Sequence, residues 1–296
     1  MIGAAGGFAA QGNGKGTPGT PWSGGVGITE TVEQIMAREE GDDAKSHEHE
    51  RRLRLHTGEH SQENPFAPFV PHWPIGTNSG PAPLLPQVTG VSFLGAQLSE
   101  SSEVPPDSMG AVGPSQVAVI VNGRIKLFSK TGGSQSGLNT TTDALFASVR
   151  GANGTSDPHM RYDRLSGRWF IVMITIVKHS NSILIAMSSG PTITNGSSFT
   201  FFQFPQDFDG GDAGLFADYP TLGVDRFALY IGVNNFLSST GGNATRTGFV
   251  VRKSSLLAGG PIVVTSFRNL DDDGQGNGTL QRSATARRRA WGGGAQ

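Results

Sequence analysis

The chain has 296 residues, including 43 glycines, 17 prolines and no cysteine, and its 23 basic against 24 acidic side chains leave a net charge of −1. That composition excludes disulfides, thiol nucleophiles and thiolate metal sites, and it provides no overall charge for binding nucleic acid or an anionic membrane. No apolar run approaches the ~18 residues that span a bilayer, and the glycine and proline content suits many short strands and turns in one or two domains.

Residues 1–28 read as a segment without regular structure. Met1–Gln11 is small and mildly apolar, and Phe8-Ala9-Ala10 matches the end of a secretory signal, but a charged leader and a full apolar core are missing. Two readings stand: the remnant of an export signal, or a disordered soluble N-terminus. Residues 29–60 read as a polar helical segment, with Thr31 and Gln34 spaced for a capping box and Gly41-Asp42-Asp43 as an interruption. His47, His49, His56 and His60 lie within it. His56 and His60 would share a helix face and could ligate a metal, but Gly58 between them and the missing cysteines favour a solvated polar helix. Residues 61–85, with Pro65, Pro68, Pro71, Pro74, Pro81 and Pro83, read as an extended linker.

The folded region is expected over 86–281. Val88–Phe93 reads as a short strand. Val117–Phe128 reads as a hairpin around Asn122-Gly123, the strongest short-range hairpin signal. Residues 134–155 read as a polar connection. A second hairpin is expected where Met160 and Tyr162 alternate with Arg161 and Asp163, Leu165-Ser166-Gly167 turns the chain, and Trp169–Ile176 supplies a buried strand. Ile183–Met187, Phe199–Phe204, Thr221–Val233, Thr247–Lys253 and Ile262–Phe267 complete the strands. Residues 282–296, with Arg287-Arg288-Arg289, read as an irregular tail, truncated or frame-shifted.

Three of these strands follow an Asp-led turn: Asp107 before Val117–Val121, Asp157 before Trp169–Ile176, and Asp218 before Ala228–Val233. The spacing points to the four-stranded blades of a β-propeller. The fold class expected is therefore all-β: an incomplete or partial propeller of about three Asp-led blades, preceded by a largely disordered, partly helical region. Pro105-Pro106-Asp107-Ser108-Met109-Gly110-Ala111-Val112-Gly113-Pro114, then Asp157–Trp169, then Asp218-Tyr219-Pro220-Thr221-Leu222-Gly223 resemble the shared core of a family of mostly uncharacterised bacterial exported proteins. The resemblance spans about 104–265. It implies a sialidase-like β-propeller on a secreted or cell-surface protein, with no established activity.

Chemistry can be read from these residues in two ways. Tyr162 and Asp163 with Arg161, Arg164 and Arg168 resemble a sialidase pocket, in which a tyrosine nucleophile and an arginine cluster hold a carboxylate substrate. Adjacent strand residues point to opposite faces, however, and Asp163–Trp169 also resembles the Asp-box turn of propellers. Asp107, Asp157, Asp163, Trp169 and Asp218 are accordingly expected to be structural, with no catalytic residue assigned. For calcium, Asp207, Asp209 and Asp212, and separately Asp271, Asp273 and Asn277, place oxygen donors beside glycines. The preferred function is a non-catalytic module that binds a glycan, a protein or a cell surface, without nucleic acid and without a transmembrane segment. The alternatives are a fragment of a sialidase-like glycoside hydrolase and a gene fragment without independent function.

Overall fold

The computed structural model describes residues 17–42, 90–101, 103–133, 135–177, 180–237 and 243–270. The chain opens with two short strands, β1 (Thr20–Ser23) and β2 (Ile28–Thr31), and a helix, α1 (Val32–Asp42). The capping box forms as expected: the Thr31 N–H donates to Gln34 Oε1 at 2.9 Å, and the Gln34 N–H donates to Thr31 Oγ1 at 3.1 Å. Helix α1 does not stand alone, since Val32 and Ile35 are fully buried. After the single turn α2 (Leu98–Ser101) come three antiparallel meanders in succession.

The first sheet runs β3 (Met109–Val112), β4 (Gln116–Val121), β5 (Arg124–Ser129) and β6 (Gln135–Thr140). Two helical turns, α3 (Thr142–Leu145) and α4 (Ala147–Arg150), lead to the middle sheet. It comprises β7 (Gly154–Asp163), β8 (Arg168–Ile176), β9 (Ser182–Ser188) and β10 (Ser198–Pro205), with β2 on its outer edge. The third sheet has a divided inner edge, β11 (Leu215–Asp218) and β12 (Gly223–Val224), both paired to β13 (Ala228–Leu237). It continues through β14 (Asn243–Arg252), α5 (Lys253–Leu257) and β15 (Val263–Phe267), and β1 closes its outer edge.

The middle sheet is apolar on both faces because it packs on both sides. Trp169, Ile171 and Met173 of β8 join Ala118, Ile120, Ile125 and Leu127 in the core shared with the first sheet. Phe170, Val172 and Ile174 join Leu229, Ile231, Phe249 and Val264 in the core shared with the third. A strand buried on both sides reads as a continuous apolar run, and Trp169–Ile174 is one. Trp169 presses on Gly113, where an added Cβ would lie 2.3 Å from its ring.

Several expectations are corrected. Residues 17–28, placed in a disordered segment, include β1 and the start of β2. β1 carries Pro21 and no apolar alternation, so its strand character comes from pairing with β15 rather than from propensity. Gly41 does not interrupt α1 within the described residues. The described part of Val88–Phe93 is not a strand; Phe93 instead stacks on Phe128 with ring centroids 4.6 Å apart. The connection 134–155 contains β6, α3 and α4. The resumed helix over 44–55, the four histidines, the proline-rich linker and the tail 282–296 lie outside the described residues. Among the described residues no helix is long and apolar enough to cross a membrane.

Candidate functional site

Just before β3, within β7 and between β11 and β12, the leading strand of each sheet carries one residue forced into the left-handed region. These are Asp107 at φ 40°, Asp157 at φ 56° and Tyr219 at φ 52°. Asp reaches such angles at modest cost, whereas a bulky Tyr there is an outlier held by its surroundings. Strand register makes the three positions equivalent. Tyr162 pairs with Trp169 and Val224 with Leu229, and Tyr219 precedes Val224 by the same number of residues as Asp157 precedes Tyr162. Proline follows in both, as Pro158 and Pro220, where the inner edge strand has no ladder bond to lose. The third unit is thus led structurally by Tyr219, and Asp218 stands one residue ahead of the repeat.

That offset brings carboxyl groups together. Asn122, at the β4–β5 turn, is fully buried and ties two of the units. Its Nδ2 donates to Asp107 Oδ2 at 2.6 Å and to Pro105 O at 3.0 Å, while its Oδ1 accepts the Asp157 N–H at 2.8 Å. Asp157 reaches the third unit, its Oδ2 accepting the Tyr219 N–H at 3.0 Å and its Oδ1 accepting Ser156 Oγ at 2.8 Å. Asp218 shares a hydrogen bond with Asp157, and Asp107 lies close enough to act on both. Asp157 is buried, while Asp107, Asp218 and Tyr219 are half-buried and reachable from solvent.

Two adjacent carboxyls in one low-dielectric place cannot both ionise easily. Burial, together with the hydrogen bond and charge of Asp157, pushes Asp218 up to about 8. Burial also pushes Asp157 upward, but hydrogen bonds with Asp218, Ser156, the Tyr219 N–H and Asp107 outweigh it and hold this carboxylate below the ordinary range. At neutral pH the pair therefore keeps one proton, held on Asp218. It offers a hydroxyl-type donor and a carboxylate acceptor side by side, which can bind a hydroxyl in both directions or move a proton. His159 packs edge-on against Tyr219 with ring centroids 5.7 Å apart. It is 3 % exposed, and no described residue bonds either ring nitrogen. Burial and the charge of Arg161 hold it down at about 4, so it is a neutral imidazole beside the carboxyl pair.

The other expected residues are placed elsewhere. Asp163 accepts the Leu165 and Ser166 N–H groups at 3.2 and 3.1 Å in its turn and forms an ion pair with buried Lys253, which also donates to Asp225 O at 2.7 Å. Lys253 thus links the equivalent turns of the middle and third sheets. Tyr162 packs on Trp169 with centroids 5.0 Å apart. Arg161 donates to Met160 O, Arg168 to Ser188 O, and Arg164 is exposed in the turn; Arg226, at the equivalent turn of the third sheet, lies over the Phe227 ring. Arg161, Arg168 and Arg226 thus each have their own local partner. Asp209 and Asp212 are both engaged by Arg268, Asp207 is half-buried in the same loop, and Asp271, Asp273 and Asn277 lie outside the described residues. Among the described residues no three His, Asp or Glu side chains are grouped to hold a metal ion.

Sequence reading assigns no site role to Asn122, His159, Tyr219, Lys253 or Arg268, although it names Asn122 as a turn and Tyr219 within a motif. A signal for Tyr219 was present in the shared Pro158 and Pro220, which give the true alignment where the repeated Asp letters do not. No family model matches the chain, and neither a curated protein nor a solved structure matches it.

Proposed function

We propose that the three sheets are blades of a β-propeller on an exported protein, and that the domain is a binding module whose ligand is a glycan. The ligand docks where the inner strands begin, on Asp107, Asp218 and Tyr219. The observation that carries this reading is the convergence of the three strand-leading turns on one half-exposed cluster of carboxyl groups. Carboxyl oxygens that both donate and accept, with an aromatic ring beside them, suit the hydroxyls and apolar faces of sugars. The blade reading is supported by the register. Tyr230 and Val250 of the third sheet match Phe170 and Met187, which the middle sheet buries against its successor. On the third sheet they line an open groove with Phe227, Arg252, Val263 and Thr265, the face on which a further blade would pack. The resemblance to the exported family rests on the Asp-led motifs alone.

The test is a glycan array probed with the full chain, followed by calorimetry on any retained sugar. Retention that is lost in the double variant Asp107→Asn/Asp218→Asn, with unfolding temperature kept within a few degrees, is the expected result. Retention on no glycan would sink the reading. A second reading, a glycoside hydrolase, draws on the Asp157–Asp218 pair, whose contact lowers one carboxyl and raises the other, although carboxyls in hydrogen-bond contact are closer than the roughly 5 Å or more that glycosidase pairs keep. The separate placement of Arg161, Arg168 and Arg226 gives it no sialidase-type arginine cluster. Turnover of fluorogenic glycosides that Asp218→Asn abolishes would establish the hydrolase and displace the binding module.

A further inference from the structure

The loop between β10 and β11 encloses a charge imbalance. The Arg268 guanidinium bonds Asp209, with Nη2 2.7 Å from Oδ1, and Asp212, with Nη1 2.6 Å from Oδ2. Among the described residues, two carboxylates therefore face one cation in this loop. Asp212 Oδ2 also accepts Asn235 Nδ2 at 2.8 Å and Thr247 Oγ1 at 2.5 Å. Three oxygens in this network accept nothing from any described residue: Asp212 Oδ1, Asn235 Oδ1 and Gln206 Oε1. Their residues are at most 2 % exposed.

The amide orientations are set by their other halves. Gln206 Nε2 donates to Asp212 O at 3.0 Å and Leu215 O at 3.2 Å, and Asn235 Nδ2 donates to Asp212 Oδ2 and to Thr247 Oγ1 at 3.1 Å. Turning either amide would set oxygen against oxygen. The groups left over are acceptors in both residues, inside a network that already carries surplus negative charge. Buried acceptors of native proteins find a partner, a hydrogen-bond donor or an ion.

We propose that this network holds a hard metal cation, ligated by Asp212 Oδ1 and the amide oxygens of Asn235 and Gln206. Oxygen-only donors of mixed charge are the ligand type of calcium and of the alkali ions. Arg268 claims Asp209, which removes that carboxylate from the ligand set the loop sequence implies and leaves one carboxylate to the metal.

The test uses the full chain, stripped with a chelator and held in tetramethylammonium buffer. Metal content after dialysis and thermal unfolding are read with calcium, magnesium, sodium or potassium chloride at matched ionic strength. Calcium at a hundredfold excess over its dissociation constant is expected to raise the unfolding temperature by about 5–10 °C. A response to sodium or potassium alone assigns the site to a monovalent ion. Gln206→Met should weaken the responding ion at least tenfold, and Arg268→Met, which frees Asp209, should strengthen calcium binding. No retained metal and no shift beyond ionic strength would overturn the proposal and leave water as the partner of these oxygens. Binding unchanged in Gln206→Met would also overturn it, by locating the ion elsewhere in the chain.

Discussion

Asn122→Asp separates a turn residue from a cross-link. Asp-Gly is as good a hairpin turn as Asn-Gly, and the new side chain keeps an oxygen for the Asp157 N–H. It loses the Nδ2 donor, and with it the bonds to Asp107 Oδ2 at 2.6 Å and Pro105 O at 3.0 Å. Those two bonds are together worth about 2–4 kcal/mol, given that a bond to a charged group contributes roughly twice a neutral one. The substitution also sets a carboxylate against the Asp107 carboxyl at a fully buried position, and like charges add to the loss. The expected destabilisation at pH 7 is about 3–5 kcal/mol, or an unfolding temperature lower by roughly 6–20 °C for a domain of this size. Urea unfolding at pH 7 and pH 4 is the assay. The deficit should shrink at pH 4, where the added carboxyl takes up a proton and donates again. A variant within about 0.5 kcal/mol of the parent at pH 7 would refute the argument, because Asn122 would then be a turn former only.

Three further outcomes are expected. Asp218 titrates higher folded than unfolded, so the folded chain binds the extra proton: its contribution is fully present below about pH 4 and is lost as pH rises through about 8. Denaturant stability should thus fall between pH 5 and pH 8, and Asp218→Asn should flatten that slope. Asp157, displaced the other way, acts only below about pH 4. Gly113→Ala places a Cβ 2.3 Å from the Trp169 ring and should cost about 1–3 kcal/mol by calorimetry, with partial recovery when Trp169→Leu is added. Lys253→Met strands the buried Asp163 carboxylate and should cost about 3–5 kcal/mol, whereas adding Asp163→Asn should restore most of it.

What the sequence reveals here is what is local. The hairpins around Asn122-Gly123 and Leu165–Gly167 are encoded by adjacent residues, and so is the apolar run Trp169–Ile174, whose burial on both faces follows from its composition. The capping box of α1 is legible for the same reason. Strands β1 and β6 are not: neither Thr20–Ser23 nor Gln135–Thr140 alternates, and each is a strand because a partner edge accepts it. Within the cluster of carboxyls, Asp107 and Asp157 stand out as letters, but Asn122 joins them only through the fold. Lys253 and Arg268 pair with carboxylates in other elements of the chain, and such pairings leave no trace in spacing. The slip at Asp218 has a plain cause. The repeated letter is Asp, whereas the repeated object is a backbone angle, which Tyr219 carries.

The placement of β1 and β2 has a consequence for how the chain is made. β1 closes the outer edge of the third sheet by pairing Thr20 with Ser266, and β2 closes the middle sheet on β10. On the ribosome the amino-terminal segment emerges first, yet one of its two docking edges does not exist until the chain has been made as far as Ser266. In any shortened form lacking the first thirty or so residues, β15 and β10 would both show bare backbone donors and acceptors to neighbouring chains. Segment 17–31 covers both of these edges, so the domain expressed from residue 86 onward is expected to aggregate more readily than the full chain.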